Sequence, residues 1–132
     1  MEGRSKITSY RDLLVWQKGM DLVTEVYRIT RKLPAHEAYG LAAQMQRAAV
    51  SIPSNIAEGF GRQHRREYLQ HLAFANGSLK EVETQTLITV RLGYLREGEI
   101  RVVLQLADEL GRMLNGLMRK LRASHRSPNP NT

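Results

Sequence analysis

Apolar residues recur at spacings of three and four along almost the whole chain. In the first segment Leu13, Trp16, Met20, Val23 and Tyr27 keep this spacing, which places them on one face of an α-helix. A second set widens that face: Leu14, Leu22, Val26 and Ile29. The helical period returns in three further segments, and we find no alternating pattern typical of a β-strand. The sequence therefore predicts an all-α protein with four long helices.

Turn and capping residues separate the four segments. Ser9 is a candidate N-cap with Asp12 as its capping-box acid, and the first helix should end before Pro34, because proline disfavours the α conformation in the residue before it. The expected helices are about 9–33, 37–61, 64–91 and 97–123. Short connections make successive helices antiparallel, so we expect an up-down-up-down bundle over 9–123, with flexible segments at 1–8 and 124–132.

Two residues inside these helices need an explanation. Pro53 has no N–H and crowds the carbonyl of Ala49, so the second helix either breaks there or continues with a kink. The apolar spacing resumes in register at Ile56, which favours a kinked continuous helix. Gly77 costs the third helix about 1 kcal/mol relative to alanine, and such a glycine usually marks the close approach of another backbone.

Composition excludes several kinds of chemistry. The chain has 132 residues, a one-domain length, and no cysteine, which rules out disulfide scaffolds, thiolate metal sites and cysteine nucleophiles. No Glu-x-x-His pair of the kind used by di-iron bundles is present, and Glu67 with His71 supplies only two ligands. No serine has a histidine at helical spacing as its base. We expect no metal, no cofactor and no catalytic residue, and hence a protein that is not an enzyme.

The chain contains no segment typical of a membrane helix or a targeting signal. Its longest stretch without Asp, Glu, Lys or Arg runs from Tyr68 to Leu79 and includes Gln70, His71 and Asn76. A membrane-spanning helix needs about 20 mostly apolar residues. We therefore expect a soluble, cytoplasmic protein with no membrane partner.

Positive charge is concentrated in two places. The formal net charge is +7, and residues 111–132 hold basic residues without a single acidic one. Part of that excess complements the dipole of the last helix, but a second cluster lies near residue 64. The candidate phosphate-binding residues are Arg62, Arg65, Arg66, Arg119, Lys120 and Arg122. Since no aromatic residue lies within 111–132, nucleic-acid binding should be directed at the backbone and depend weakly on base sequence.

A polar stripe runs beside the apolar face of the second helix. Its members are spaced by 3, 4, 4 and 3 residues, and they are Gln44, Arg47, Ser51, Asn55 and Glu58. Three interpretations compete: a buried network that fixes helix or subunit register, a ligand or nucleic-acid surface, and a catalytic site. The sequence favours the network and leaves the other two open.

Four motifs together resemble a bacterial family of four-helix-bundle proteins, the rRNA intervening-sequence proteins. They are Val15-Trp16-Gln17, Tyr39-Gly40-Leu41 with Gln44, the run from Arg47 to Gly59 that contains Ser-Ile-Pro-Ser-Asn-Ile-Ala-Glu-Gly, and Gly77-Ser78-Leu79 with Glu81 and Glu83. The resemblance covers about residues 9–121. It implies a left-handed bundle that assembles as a homopentamer, with no catalytic residue to carry over.

The same resemblance implies kinship with the accessory proteins of diversity-generating retroelements, which are similar basic pentamers that contact a reverse transcriptase and nucleic acid. The functional expectation is thus a non-enzymatic, homo-oligomeric bundle that binds RNA or DNA, or that assists a nucleic-acid-processing protein. The alternative is a protein–protein scaffold whose basic surface meets an acidic partner. The basic tail beyond Arg119 lies outside the family pattern.

Overall fold

A computed structural model describes residues 7–125, which form four long α-helices. The helices are α1 Leu14–Thr30, α2 Leu41–Phe60, α3 Arg65–Arg91 and α4 Glu97–His125, and short 3₁₀ turns span Tyr10–Asp12 and Ala35–Glu37. No strand occurs within 7–125. The predicted all-α, four-helix fold is confirmed. None of the helices described is long and apolar enough to cross a membrane.

The predicted capping box at Ser9 is present, but it caps the start of the 3₁₀ turn Tyr10–Asp12 rather than the start of α1. The Ser9 hydroxyl accepts the Arg11 N–H at 3.1 Å, and Asp12 Oδ2 accepts the Ser9 N–H at 3.1 Å. The backbone is extended at Leu13 before α1 begins at Leu14. Helix α1 is therefore shorter at its start than the sequence predicts.

Helix α2 also begins later than predicted, because Glu37 caps it from outside. Glu37 lies in a 3₁₀ turn, and its Oε1 accepts the Leu41 N–H at 2.9 Å. Its Oε2 accepts the Tyr94 hydroxyl at 2.8 Å, which joins the α1–α2 connection to the α3–α4 connection. The Leu41 N–H, followed by the Tyr94 hydroxyl, lowers the pKa of Glu37, while the bond to Glu37 raises the pKa of Tyr94.

Helix α2 continues through Pro53 without a break. Side chains on either side of the proline satisfy nearby carbonyls: Ser51 Oγ donates to Ala48 at 2.7 Å and Ser54 Oγ donates to Val50 at 2.8 Å. The ring is buried, and Gly19 of α1 leaves room for it. The interpretation as a broken helix is wrong, and the kink remains a prediction.

The other boundaries follow the sequence closely. Gly61 is the C-cap of α2, α3 begins at Arg65 and α4 begins at Glu97. Helix α4 extends through His125, two residues past the predicted end of the bundle. The predicted flexible segments therefore fall largely on 1–6 and 126–132, which lie outside the described residues.

The core occupies the centre of the bundle and receives side chains from all four helices. Its largest fully buried members are Leu22, Val26, Ile29, Met45, Ile52, Ile56, Leu72, Leu79, Val82, Val103, Leu110 and Leu114. On α1 the buried face contains Leu22, Val26 and Ile29 of the set that widens the predicted stripe, whereas Leu14 of that set is 68% exposed. Met20 and Tyr27, predicted at the centre of the stripe, are 42% and 38% exposed.

Neighbouring helices pack around a ring in the order α1, α2, α3, α4 and back to α1. Between α1 and α4, Lys18 pairs with Glu109 at 3.1 Å and Lys32 pairs with Glu99 at 3.4 Å. The residue numbers rise along α1 while they fall along α4, so these two helices run antiparallel. The up-down-up-down order of all four helices remains a prediction. The left-handed twist remains a prediction.

Candidate nucleic-acid interface

The first basic cluster lies in the turn between α2 and α3. Gly61 is the C-cap that ends α2. The backbone is extended at His64 before α3 begins, and the His64 side chain makes no capping hydrogen bond. Arg62, Arg65 and Arg66 are all exposed there. A shallow depression of about 500 Å³ is lined by Gln63 to Glu67. The uncapped start of α3 adds the positive end of a helix dipole to these cations.

The second basic cluster lies on the last turns of α4. Arg119, Lys120 and Arg122 are exposed, while Met118 beside them is buried and holds the helix on the core. Arg119 and Lys120 border a depression of about 720 Å³ whose other walls come from the start of the described chain, α1 and α4. These two cations therefore face the α1 side of the bundle.

One contact brings the two clusters to the same end of the bundle. Arg65 at the start of α3 donates to the Ser124 hydroxyl near the end of α4 at 3.3 Å. We call this region the basic end and define it by Arg62, Arg65, Arg66, Arg119, Lys120 and Arg122. The sequence predicted both clusters as one set of candidate phosphate-binding residues, but it did not predict the Arg65–Ser124 contact, which joins residues 59 positions apart. Ser124 is a residue that sequence reasoning missed.

Glu58 offsets part of the charge of the basic end. Glu58 pairs with Arg62 at 2.8 Å, and both side chains are about half exposed. Within residues 7–125, no ion pair closer than 4.0 Å involves Arg66, Arg119, Lys120 or Arg122. These four side chains are exposed and can therefore exchange solvent for phosphate oxygens. The Glu58–Arg62 pair is also exposed, and breaking such a pair costs little stability.

The polar stripe of α2 divides into two parts. Gln44, Arg47 and Glu58 are exposed, whereas Ser51 and Asn55 are half-buried. Ser51 bonds to its own helix, and so does Asn55 Nδ2, which donates to the Ser51 carbonyl at 2.9 Å. Asn55 also reaches α3 through its Oδ1. The stripe is therefore neither a fully buried network nor a fully solvated face.

His71 is the α3 partner of that stripe, and sequence reasoning missed its role. Its Nδ1 lies 3.1 Å from Asn55 Oδ1, and its Nε2 lies 4.0 Å from Glu58 Oε2. The pairing with Glu67 that helical spacing suggests is not among the contacts of the described residues. His71 precedes Leu72 of the apolar stripe. This position at the border of the stripe is the feature of the sequence that could have indicated its role.

Nothing in the described part of the chain gathers the ligands of a metal ion. No group of three or more His, Asp or Glu side chains converges within 7–125. The fold and the exposed cations together define a four-helix bundle with a basic end.

The chain matches the family described as 23S rRNA-intervening sequence protein over residues 11–116, and it belongs to that family. A crystal structure of a protein with unknown function from the S23 ribosomal protein family of Bacteroides thetaiotaomicron VPI-5482 is similar, with a TM-score of 0.74 and 19% sequence identity. The superposition covers 80% of this chain and 98% of that one, and it supports the fold. No curated protein matches the chain.

Proposed function

We propose that the protein is a non-enzymatic, homo-oligomeric bundle that binds nucleic acid through its basic end, as a nucleic-acid-binding or ribonucleoprotein accessory protein. The observation that carries this proposal is the Arg65–Ser124 hydrogen bond, since it joins the start of α3 to the end of α4 at the same end of the bundle. The family description, which refers to 23S rRNA, supports RNA as the ligand. We place the protein in the cytoplasm.

Binding of this kind is directed at phosphates. Arginine and lysine side chains on an exposed surface neutralise phosphate charge and release counterions, so affinity falls steeply with salt. Base stacking would need exposed aromatic side chains among the cations, and residues 111–132 contain none. The basic end should therefore distinguish nucleic acids by shape and charge density more than by base sequence.

Fluorescence-anisotropy titration tests the proposal with a structured rRNA fragment and a matched duplex DNA at about 50 and 200 mM salt. The triple variant Arg62→Gln, Arg65→Gln, Arg66→Gln should weaken binding to both ligands. Its salt dependence should also flatten, by up to about 0.9 in the slope of log K against log salt for each phosphate that the variant no longer neutralises. Preference for the RNA at the higher salt would indicate a shaped site.

A matched triple variant removes the same charge from the opposite end of the bundle. Arg91, Arg96 and Arg101 are exposed around the α3–α4 connection, so Arg91→Gln, Arg96→Gln, Arg101→Gln serves as the control. The control should retain nearly all of the affinity. An equal loss in both triple variants would reduce the binding to the general attraction of a protein with net charge +7.

The homo-oligomeric part of the proposal rests on the family resemblance, which implies a pentamer. Sedimentation equilibrium should then give a mass of about 75 kDa, five times the chain mass of 15.1 kDa. A monomer at micromolar concentration would refute the pentamer and leave the basic end to be tested separately.

A second candidate function is favoured by apolar side chains left exposed along α1 and α2. Met20, Tyr27 and Val50 are 38–42% exposed, and Trp16 beside them is half-buried. Such aromatic and methionine side chains are enriched at protein interfaces. A scaffold whose partner is another protein, including one that processes nucleic acid, would use this face. A pulldown partner that survives nuclease treatment and moderate salt would support the scaffold.

A further inference from the structure

The carboxylate of Glu58 faces two basic side chains. Its Oε2 accepts a hydrogen bond from Arg62 at 2.8 Å and lies 4.0 Å from Nε2 of His71. Arg62 belongs to the basic end, whereas His71 packs between α2 and α3 with its side chain 16% exposed. One oxygen atom therefore connects a candidate phosphate ligand to a histidine that is largely shielded from solvent.

Hydrogen bonding fixes which ring nitrogen of His71 carries the proton in its neutral form. Asn55 uses its amide N–H to donate to the Ser51 carbonyl at 2.9 Å, so its Oδ1 is the atom that faces the ring. An amide oxygen only accepts, and Nδ1 of His71 at 3.1 Å must therefore be the donor. A second proton can enter only at Nε2, on the side that faces Glu58.

The surroundings of His71 hold the ring in this position. Gly59 of α2 packs against its Cβ, and Phe74 meets the ring edge-on with centroids 6.0 Å apart. Glu58 from α2 and Arg62 from the following turn are the charged groups on the facing side. On its own helix, the titratable residues within one turn are Glu67 and Tyr68, which precede it.

We propose that Glu58 and His71 are positioning residues that set the charge which Arg62 presents to phosphate. This inference rests on the proposed function of the basic end. With His71 neutral, Glu58 and Arg62 offset each other, and the three groups carry no net charge. With His71 protonated, the same groups carry a net charge of +1. Acidification therefore makes Arg62 available as an uncompensated cation. In this way Glu58 of the polar stripe, together with His71, controls the net charge of the basic end.

Histidine is the side chain that normally changes charge between pH 5 and 8, so the test compares pH 8.0 with pH 5.5. One additional uncompensated cation at the interface corresponds to one more neutralised phosphate. The slope of log K against log salt should steepen by about 0.7 to 0.9, and affinity at about 0.1 M salt should rise about fivefold.

The experiment is an anisotropy titration of the full chain with a fluorescein-labelled RNA hairpin at pH 8.0 and pH 5.5. Glu58→Gln should bind about fivefold tighter than the parent at pH 8.0, because Arg62 loses its counter-charge. His71→Gln should keep the parent's affinity at pH 8.0 and lose most of the gain at pH 5.5. Circular dichroism of each variant confirms that the helices remain.

Two control variants separate this mechanism from a general charge effect. Glu81→Gln removes an exposed carboxylate of α3 far from Arg62 and should leave affinity within about twofold. His64→Gln removes an exposed histidine within the first basic cluster. It should reduce the gain in RNA affinity at pH 5.5 only by the contribution of His64 itself. A pH effect that persists in His71→Gln and vanishes in His64→Gln would overturn the proposal, as would unchanged affinity in Glu58→Gln.

A readout without nucleic acid separates failure of this inference from failure of the proposed function. The side-chain Nε–Hε resonance of Arg62 should shift between pH 8.0 and pH 5.5 in the parent and stay constant in His71→Gln. A shift of the Arg62 resonance without RNA binding would support the coupling of His71 to Arg62 but refute the proposed nucleic-acid site. The absence of a shift would refute the coupling whatever the RNA titration shows.

Discussion

Gly59 of α2 packs directly against His71 of α3. A Cβ atom placed on Gly59 would lie 2.7 Å from the Cβ of His71 and 3.1 Å from Cδ1 of Tyr68. The atom of His71 that it meets is fixed to the backbone of α3 and cannot move away by rotation of a side-chain torsion. The missing side chain of Gly59 is thus what allows α2 to reach the position in which Asn55 and Glu58 face His71.

Gly59→Ala should destabilise the bundle, because the added methyl group forces α2 and α3 apart. Overpacking of this kind costs about 1 to 3 kcal/mol. The free energy of unfolding from urea titration measures the cost directly. Unchanged stability would mean that the two helices separate easily at this point, and that the His71 contacts contribute little.

Gly77→Ala is the matched control on α3 and should change the free energy of unfolding in the opposite direction. Apart from the adjoining backbone of α3, no atom of the described residues lies within 4 Å of the position of its missing Cβ, so the methyl group meets open space in the protomer. Alanine is better than glycine in a helix interior by about 1 kcal/mol, and the free energy of unfolding should increase by up to that amount. A loss of stability would indicate that another backbone does approach Gly77, as it would at a contact between copies.

These two glycines show where sequence reasoning reaches its limit. The pattern of three and four predicts four helices and most of the core, since periodicity follows directly from which face is buried. The sequence predicts the end of α2 near Gly61 and a close approach at Gly77, whereas the structure assigns the close approach to Gly59. Which glycine faces a neighbour depends on how helices rotate against each other, and a single sequence does not encode that rotation locally.

The basic end shows the same limit for function. Each cluster is predictable from charge alone, because runs of arginine stand out in any reading of the sequence. The contact between Arg65 and Ser124 and the one between Glu58 and His71 are not predictable, since both join different helices. The late starts of α1 and α2 escape prediction for a related reason: the capping groups at Ser9 and Glu37 serve short 3₁₀ turns before the helices.

Glu37 should make the stability of the bundle depend on acidic pH. Hydrogen bonds from Leu41 and then Tyr94 lower its pKa from an ordinary value of 4.5. A carboxylate with a lowered pKa stabilises the folded state at pH values above its ordinary pKa. That stabilisation is lost as the pH falls through the lowered value. Thermal midpoints should therefore fall between about pH 5 and pH 3, and Glu37→Gln should reduce the fall.

Glu97→Gln is the comparison for that measurement, because Glu97 is an exposed carboxylate at the same end of the bundle. It should leave the acid dependence close to that of the parent. The thermal midpoint of Glu37→Gln should still fall in part as the pH decreases, since the Arg96 N–H and Lys32 lower the pKa of Glu99. Identical curves for Glu37→Gln and Glu97→Gln would remove Glu37 as a source of the effect.

Val50→Glu should weaken self-association if copies of the chain meet on the α1–α2 face. Val50 is 41% exposed, so the folded protomer tolerates a charge there, whereas a closed contact would bury it without a partner. Sedimentation equilibrium should show a mass below that of the parent assembly. Val102→Glu, at a position of α4 that is 43% exposed, is the control and should keep the parent mass. An unchanged mass in Val50→Glu would exclude this face from the assembly.

Asn55→Ala and Gln44→Ala should separate the structural part of the polar stripe from its free surface. Asn55 joins the Ser51 carbonyl to His71 from a half-buried position, and leaving buried partners unsatisfied costs about 1 to 3 kcal/mol. Gln44 is exposed, and replacement of a surface side chain usually changes stability by less than about 0.5 kcal/mol. Urea unfolding of both variants gives the two values under one set of conditions. Equal and small values would mean that Asn55 does not hold α2 against α3, and the orientation of His71 would then depend on packing against Gly59 and Phe74 alone.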